Sequence, residues 1–345
     1  MRAQWDDLYA ADPHSQLFVS YPWLRAFLQN TPFHWSILTL REGDHLVAAL
    51  PISLRGAPHY KLPIARELTF AAAPFADYQG MLCRPGREDE AVAALAQQLL
   101  ALSWQRASFP DSADPRVGTL VAALGSAGAA TRETQGSPCS GIELPETFAE
   151  FLAQLSRTTR RGLVHPLNAL TERLPDGRIT SSDEGDVDAH IDAMLLVNKL
   201  RWGASPERMA RYRALLRAAH AQGCLHVGIV WDGTRPIAGN ANFTDPVHNV
   251  TALYLVGHDP EYGRVSPGKA LLAVLIRESI AAGYRVLDFL RGDDSYKASF
   301  TNYSRFNAHY TVERRGARSL LLRAVEPAFA SLRAALTRLR RRPAA

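Results

Sequence analysis

The sequence predicts a mixed α/β (α+β) chain in which one unit occurs twice, each copy a mixed central sheet flanked by helices. Residues 35–54 and 226–243 each read as two β-rich runs joined by a tight turn. Pro85-Gly86-Arg87 and Pro267-Gly268-Lys269 each open an apolar-periodic helix that leads into a short apolar strand. These features recur in the same order at separations of roughly 180–190 residues, the signature of a duplicated α/β unit.

The first hairpin, WSILTLREGDHLVAALPISL, turns at Glu42-Gly43-Asp44. A helix over 91–102 then leads into the strand Ala107-Ser108-Phe109. Residues Glu146–Leu170 read as one helix carrying Arg157-Thr158-Thr159-Arg160-Arg161, followed by a Pro/Gly turn at Leu174–Gly177. Helices follow at 186–200 and 206–221, the second entered through Ser205-Pro206, which supply an N-cap and a first-turn proline. The second hairpin, HVGIVWDGTRPIAGNANF, turns at Asp232-Gly233-Thr234. The expected divisions are a first half at 1–145, a bridging helix and linker at 146–185, a second half at 186–316 and a basic amphipathic helix at 317–345.

Composition narrows the function. With 345 residues and 47% hydrophobic content the chain can fill the cores of two ordinary domains. The net charge of +5 is uneven, because residues 314–342 hold nine arginines against Glu326 alone. The basicity is therefore a terminal feature, and pI alone does not support a nucleic-acid binder. Cys83, Cys139 and Cys224 are scattered, odd in number and lack metal-ligand spacing, so buried thiols are expected and a disulfide framework or metal site is not. No run approaches the ~20 apolar residues of a membrane span, and the N-terminus lacks a signal-peptide core, so the expected compartment is the cytoplasm. In the last helix Phe329, Leu332, Leu336 and Leu339 share a face away from most of the arginines. That helix fits docking on the core with a solvated basic end, the favoured reading, or a peripheral contact with the inner face of the membrane or with a synthase complex.

Residues 250–300 carry the chemistry, in the order strand, loop, helix, strand. Ser266 as N-cap, Pro267 in the first turn and Gly268 allowing close approach form a helix entrance whose N–H groups suit a phosphate. Arg264 and Lys269 flank it and can add charge-assisted contacts. Asp288 is the one charge in the run Val286-Leu287-Asp288-Phe289-Leu290. Such a charge demands a partner, with Arg291, Lys297 or a substrate amine as candidates.

The runs Gly257-His258-Asp259-Pro260-Glu261-Tyr262, Ser266-Pro267-Gly268-Lys269, Asp288-Phe289-Leu290-Arg291-Gly292-Asp293 and Tyr296-Lys297 resemble the GNAT-type acetyltransferase domain of cellulose-biosynthesis-associated (CelD-like) proteins, relatives of the FemAB aminoacyltransferases. The resemblance is specific over roughly 225–300 and implies a tandem GNAT-like fold and acyl transfer from acetyl-CoA or another acyl-CoA. Asp294-Ser295 stands where a Glu-Pro pair is expected, and the loop only approximates the usual Arg/Gln-x-x-Gly-x-Gly/Ala signature.

Direct transfer needs a polarised thioester carbonyl, a base for the attacking amine or hydroxyl, and an acid for the leaving thiolate. The resemblance assigns the first task to a backbone N–H in Val256–His258. His258, beside Asp259, is the candidate base, and the same pair fits a turn in which Asp259 bonds locally. Asp288 fits a catalytic or a structural role. Tyr296 is the candidate acid and Lys297 the contact for a phosphate or acidic acceptor, although both also fit an amphipathic packing element. Arg291 and Asp293 sit at a strand exit where sheets of this class place ligands, and Asp77-Tyr78 are candidates for an acceptor pocket between the halves. Three readings follow. The first is an acyl-CoA-dependent transferase acting on a small-molecule amine or glycan hydroxyl in envelope or exopolysaccharide assembly. The second is an aminoacyltransferase using charged tRNA held by Arg157, Arg160, Arg161 and the tail. The third is a non-catalytic scaffold.

Overall fold

A computed structural model describes residues 1–56, 66–292 and 297–316. Asp293, Tyr296 and the expected helix at 317–345 lie outside the described residues. In chain order the first elements are α1 (Arg2–Ala11), α2 (Tyr21–Leu28), β1 (Trp35–Glu42), β2 (His45–Gly56), β3 (Arg66–Phe70), β4 (Leu82–Cys83), α3 (Glu88–Ala101), β5 (Arg106–Ser112), α4 (Pro115–Ser126) and β6 (Ala130–Glu143). Then come α5 (Phe148–Gln154), α6 (Arg157–Arg173), β7 (Gly177–Ser181), α7 (Val187–Trp202), α8 (Pro206–Ala221), β8 (Leu225–Asp232), β9 (Arg235–Asp245), β10 (Val250–His258), α9 (Pro267–Ala281), β11 (Val286–Arg291) and β12 (Tyr303–Glu313).

The chain divides into two compact units, and they are not consecutive stretches. Among the described residues the first takes 1–15, 32–136 and 308–316; the second takes 16–31 and 137–307. The dividing points fall inside β6 and β12 and just after α1, exchanges that composition along the chain does not register.

In the first unit the strand order is β1-β2-β3-β5-β12-β6, with β4 also on β2. The β1–β2 turn closes through Gly43 at φ 56°, a left-handed conformation that glycine adopts without steric cost. Leu50, Leu68, Phe70 and Phe109 of the sheet pack on Leu95 and Leu99 of α3 and Leu120 and Leu124 of α4. A buried ion cluster ties the start of the chain to this core. Arg116 reaches Asp12 at 2.9 Å and Asp114 at 2.8 Å, and the Asp12 carboxylate also accepts from the Cys83 N–H. All three charges are buried, which is stable only because each guanidinium and carboxylate finds several partners.

The second unit runs β12-β6-β11-β10-β9-β8-β7. Its β8–β9 turn repeats the first, with Gly233 at φ 58°. Successive strand residues point to opposite faces, and Gly239 and Asn240 show what covers each. A Cβ on Gly239 would meet Met194 and Val197 of α7, whereas Asn240 lies beside Gly228 and Leu271 of α9. The α9 face carries a core of Leu272, Leu275, Ile276, Leu287 and Phe289, with Leu163 supplied by α6. The span read as one helix, Glu146–Leu170, is two: α5 ends at the Leu155 cap, and Ser156 restarts the chain as N-cap of α6 by accepting from Thr159 N–H at 3.1 Å. α7 and α8 lie close to the expected spans; Asp186 caps the first, and Ser205 with Pro206 opens the second as expected. All three cysteines are buried thiols outside any disulfide. Burial pushes Cys83 up to about 11 and Cys224 up to about 12.

Candidate functional site

In the second unit β10 and β11 run parallel through three pairs only, Val250↔Val286, Thr251↔Leu287 and Ala252↔Asp288. β10 then stays with β9 as far as His258↔Ala238, while β11 follows β6 to Arg291↔Cys139 across an irregularity where Leu290 takes φ 58°. The two strands part beyond Ala252, and the parted edge carries backbone groups that need partners. Such a notch at the carboxyl ends of parallel strands is where open α/β sheets take ligands.

α7 meets this edge. Asn198 Nδ2 donates to the Val256 carbonyl at 2.8 Å, and Trp202 Nε1 donates to it at 3.2 Å. Gly257 lets the helix come so close, since a Cβ there would stand 2.6 Å from Asn198 Cα. His258 ends the strand half-buried. Burial and, less strongly, the Arg201 charge hold its imidazole below the ordinary 6.5, while Asp259 opposes them. The ring is thus neutral and able to accept a proton near neutral pH.

Asp259 takes the turn role. Its carboxylate accepts from Glu261 N–H at 3.0 Å and forms an ion pair with Arg235, which also holds Glu261. Tyr262 O–H donates to Asp232 at 2.7 Å. The acidic and aromatic residues of the Gly257–Tyr262 run therefore pin the loop to the β8–β9 hairpin and set where α9 begins.

At that beginning Ser266 takes φ 54° and makes no side-chain cap. Pro267 has no N–H, and those of Lys269 and Ala270 fold back onto the Ser266 carbonyl at 3.0 and 3.3 Å. The Gly268 N–H has no partner among the described residues, and a Cβ there would meet nothing within 4 Å. Arg264, Gly268 and Lys269 are all exposed, and the first turn of α9 holds no acid. An open glycine, a helix dipole and two cations suit a pyrophosphate. The corresponding helix of the first unit, α3, has Glu88, Asp89 and Glu90 in its first turn, which repel one.

Asp288 is buried at the point where the strands part. It accepts from Leu290 N–H at 2.6 Å and Tyr303 O–H at 3.2 Å, and Arg305 lies at 3.5 Å. Burial first, and Asp288 second, raise the Tyr303 phenol, which keeps its proton. Tyr303 and Arg305 come from β12, the strand beyond β6 in the sheet. Lys297, expected at a phosphate or acidic acceptor, is buried with Nζ on the Phe289 and Arg291 carbonyls, both at 3.2 Å, where it braces the strand exit. Arg291 is exposed at that exit. Asp77 and Tyr78 belong to the first unit and are buried there, Tyr78 at φ 49°. Among the described residues no group of three or more His, Cys, Asp or Glu could hold a metal ion, and no helix is long and apolar enough to cross a membrane.

Asn198, Trp202, Tyr303 and Arg305 escaped the sequence reading. The only signal for the first two is a polar and an indole side chain on an otherwise buried stripe just before the Gly203 helix stop.

Residues 157–298 match the family described as an acetyltransferase (GNAT) domain, which spans α6 to the Lys297 brace. No curated protein matches the sequence. Among solved structures the chain is similar to FemX, with 10% identity, a TM-score of 0.67 and coverage of 94% of this chain and 98% of that one. It is also similar to a tandem GNAT protein from the clavulanic acid biosynthesis pathway, with 14% identity, a TM-score of 0.53 and coverage of 92% and 95%. L-PGS from Bacillus licheniformis gives 11% identity, a TM-score of 0.53 and coverage of 90% and 97%. At these identities the likeness is one of fold. The chain therefore has a tandem GNAT-like fold, and its residues 157–298 resemble the GNAT acetyltransferase domain family.

Proposed function

We propose that the second unit transfers an acyl group from an acyl-CoA, with acetyl-CoA the first donor to consider, to an amine or sugar hydroxyl. The observation that carries this reading is the parting of β10 and β11 beside a helix entrance whose Gly268 N–H is open and whose flanking charges are cationic. Arg264, Gly268 and Lys269 would hold the pyrophosphate, and the Val256–His258 edge would face the thioester, whose acyl carbon is the electrophile the donor supplies. His258, neutral and at the strand end, is the base for the acceptor's proton. The Tyr303 phenol, protonated beside Asp288, adds a second proton-holding group. Incubating the full chain with acetyl-CoA and a panel of amines, amino sugars and sugar alcohols, and following release of free CoA thiol, tests this. Acceptor-dependent release supports the reading; release at the buffer rate with every acceptor and several acyl-CoAs contradicts it.

A second reading, aminoacyl transfer from charged tRNA, is favoured by the exposed Arg157, Arg160 and Arg161 at the start of α6 and by the fold shared with FemX. Binding of tRNA that weakens steeply with added salt and is lost on replacing these arginines would promote it.

A further inference from the structure

The sheet face of the second unit that lies under α9 holds a cavity away from the parted strands. It encloses about 290 Å³ between α6, the later turns of α9 and the strands β7, β8 and β9. Glu278, at its mouth, lies on the order of 15 Å along the helix axis from Gly268 at 1.5 Å per residue, so the cavity is separate from the entrance to α9. Leu271, Val274, Leu275 and Glu278, spaced i, i+3, i+4 and i+7, are the side of α9 turned toward it. Leu167, Leu170 and Ile179 complete its apolar walls.

The floor offers a hydrogen bond. Gly228 and Asn240 are paired there across β8 and β9, and a Cβ on Gly228 would stand 2.9 Å from Asn240 Oδ1 and 3.1 Å from Leu271 Cδ1. The missing side chain therefore keeps the floor open. Asn240 is only 4% exposed, and its Oδ1 accepts from Gly228 N–H at 3.2 Å and from Asn242 Nδ2 at 3.0 Å. Its Nδ2 has no acceptor among the described residues, and the cavity is the space this donor meets. A buried donor so placed calls for an acceptor from outside the chain.

The mouth is mostly acidic. His226 sits between Asp183 at 3.0 Å and Glu278 at 3.7 Å, and the exposed Glu184 adds a third carboxylate, one with no ion pair among the described residues. Of the two arginines that line the cavity, Arg178 donates to the Gly233 carbonyl at 2.6 Å, which leaves Arg277 as the cation at the mouth. Burial, with Glu184 and Asp183 as lesser contributions, raises the Glu278 carboxyl, while His226 and Arg277 oppose the rise.

We infer that this cavity binds a small amphipathic amine, whose carbonyl or hydroxyl oxygen accepts from Asn240 Nδ2 at the floor and whose ammonium lies among the carboxylates at the mouth. The apolar body between the two ends lies against the leucines, the combination of apolar wall and few placed polar groups that small-molecule sites share. An anion of the same size would meet three carboxylates. The site stands whether or not the chain transfers acyl groups.

Saturation-transfer NMR on the full chain tests this with ε-aminocaproamide as probe, beside caproamide, which lacks the ammonium, and hexylamine, which lacks the acceptor. Asn240→Ala removes the floor donor, and Glu278→Gln removes a charge from a side chain that is 47% exposed, so the second variant keeps its fold even if the first does not. Circular dichroism checks both. The probe should bind saturably at millimolar concentration, the two controls should bind about threefold or more weakly, and each folded variant should lose a similar factor. No saturable binding of the probe would overturn the inference, as would controls that bind as tightly as the probe. Binding undiminished in Glu278→Gln would also overturn it, since the probe would then lie elsewhere.

Discussion

Tyr303 reaches across Gly141 to Asp288. The phenol oxygen donates to Asp288 Oδ2 at 3.2 Å, and a Cβ on Gly141 would stand 2.5 Å from Tyr303 Cζ, so the strand between the two residues must lack a side chain at that position. In register Gly141 is paired with Asp288 itself. One glycine thus decides whether the carboxylate at the strand parting keeps its phenol partner.

Gly141→Ala should therefore displace the Tyr303 ring and destabilise the chain by about 1–3 kcal/mol, the usual cost of overpacking a filled interior. Urea denaturation reads this as a lower midpoint at unchanged slope. Tyr303→Phe should cost a similar amount, about 1–3 kcal/mol, because it leaves a buried carboxylate one donor short.

The Asp12–Arg116–Asp114 cluster makes a stability prediction for the first unit. Arg116→Leu leaves two buried carboxylates without their cation and should cost about 3–5 kcal/mol. Denaturation by urea checks it. A midpoint equal to the parent's would show that the ion cluster does not hold the start of the chain to the core.

If His258 is the base, activity should have an acid limb. The folded imidazole titrates below its ordinary 6.5, so turnover should rise with pH through a midpoint below that value and level off above it. The stability linkage has the same sign. Between the lowered folded value and 6.5 the unfolded chain binds more protons than the folded one, so the contribution is complete above about 6.5 and lost as pH falls. His258→Gln should remove the acid limb from the rate profile. A profile unchanged in that variant would assign the limb to another group.

Much of this fold can be read along the chain because its signals are local. Asp186, Ser205-Pro206 and the glycines at 43 and 233 act within a few residues of themselves, and each marks a helix start or hairpin where the structure has one. The start of α9 at Pro267 is legible for the same reason, although Ser266, read as its N-cap, takes φ 54° and makes no side-chain cap. What escapes is set by distant strands. Tyr303 and Arg305 reach Asp288 only after β12 has joined β6, and nothing within ten residues of Asp288 announces them. The helix over 146–170 fails at Leu155-Ser156 because a serine able to cap restarts the helix, a competition that apolar periodicity alone does not weigh. His258-Asp259 illustrates both sides: the pair is visible, but its division of labour depends on Arg235, which arrives from the neighbouring hairpin.

Acyl-CoA binding is proposed for the entrance to α9 and not for its counterpart on α3. Calorimetric titration of acetyl-CoA into the full chain, and into a folded Gly268→Asp/Lys269→Glu variant, tests it most directly. The account predicts saturable binding at one site per chain that vanishes in the variant, because a carboxylate would then stand where the open glycine and the helix dipole receive the pyrophosphate. Two sites per chain, or binding undiminished in the variant, would move the cofactor away from α9. No binding to the parent would contradict the acyl-CoA assignment and favour the tRNA-dependent or scaffold reading.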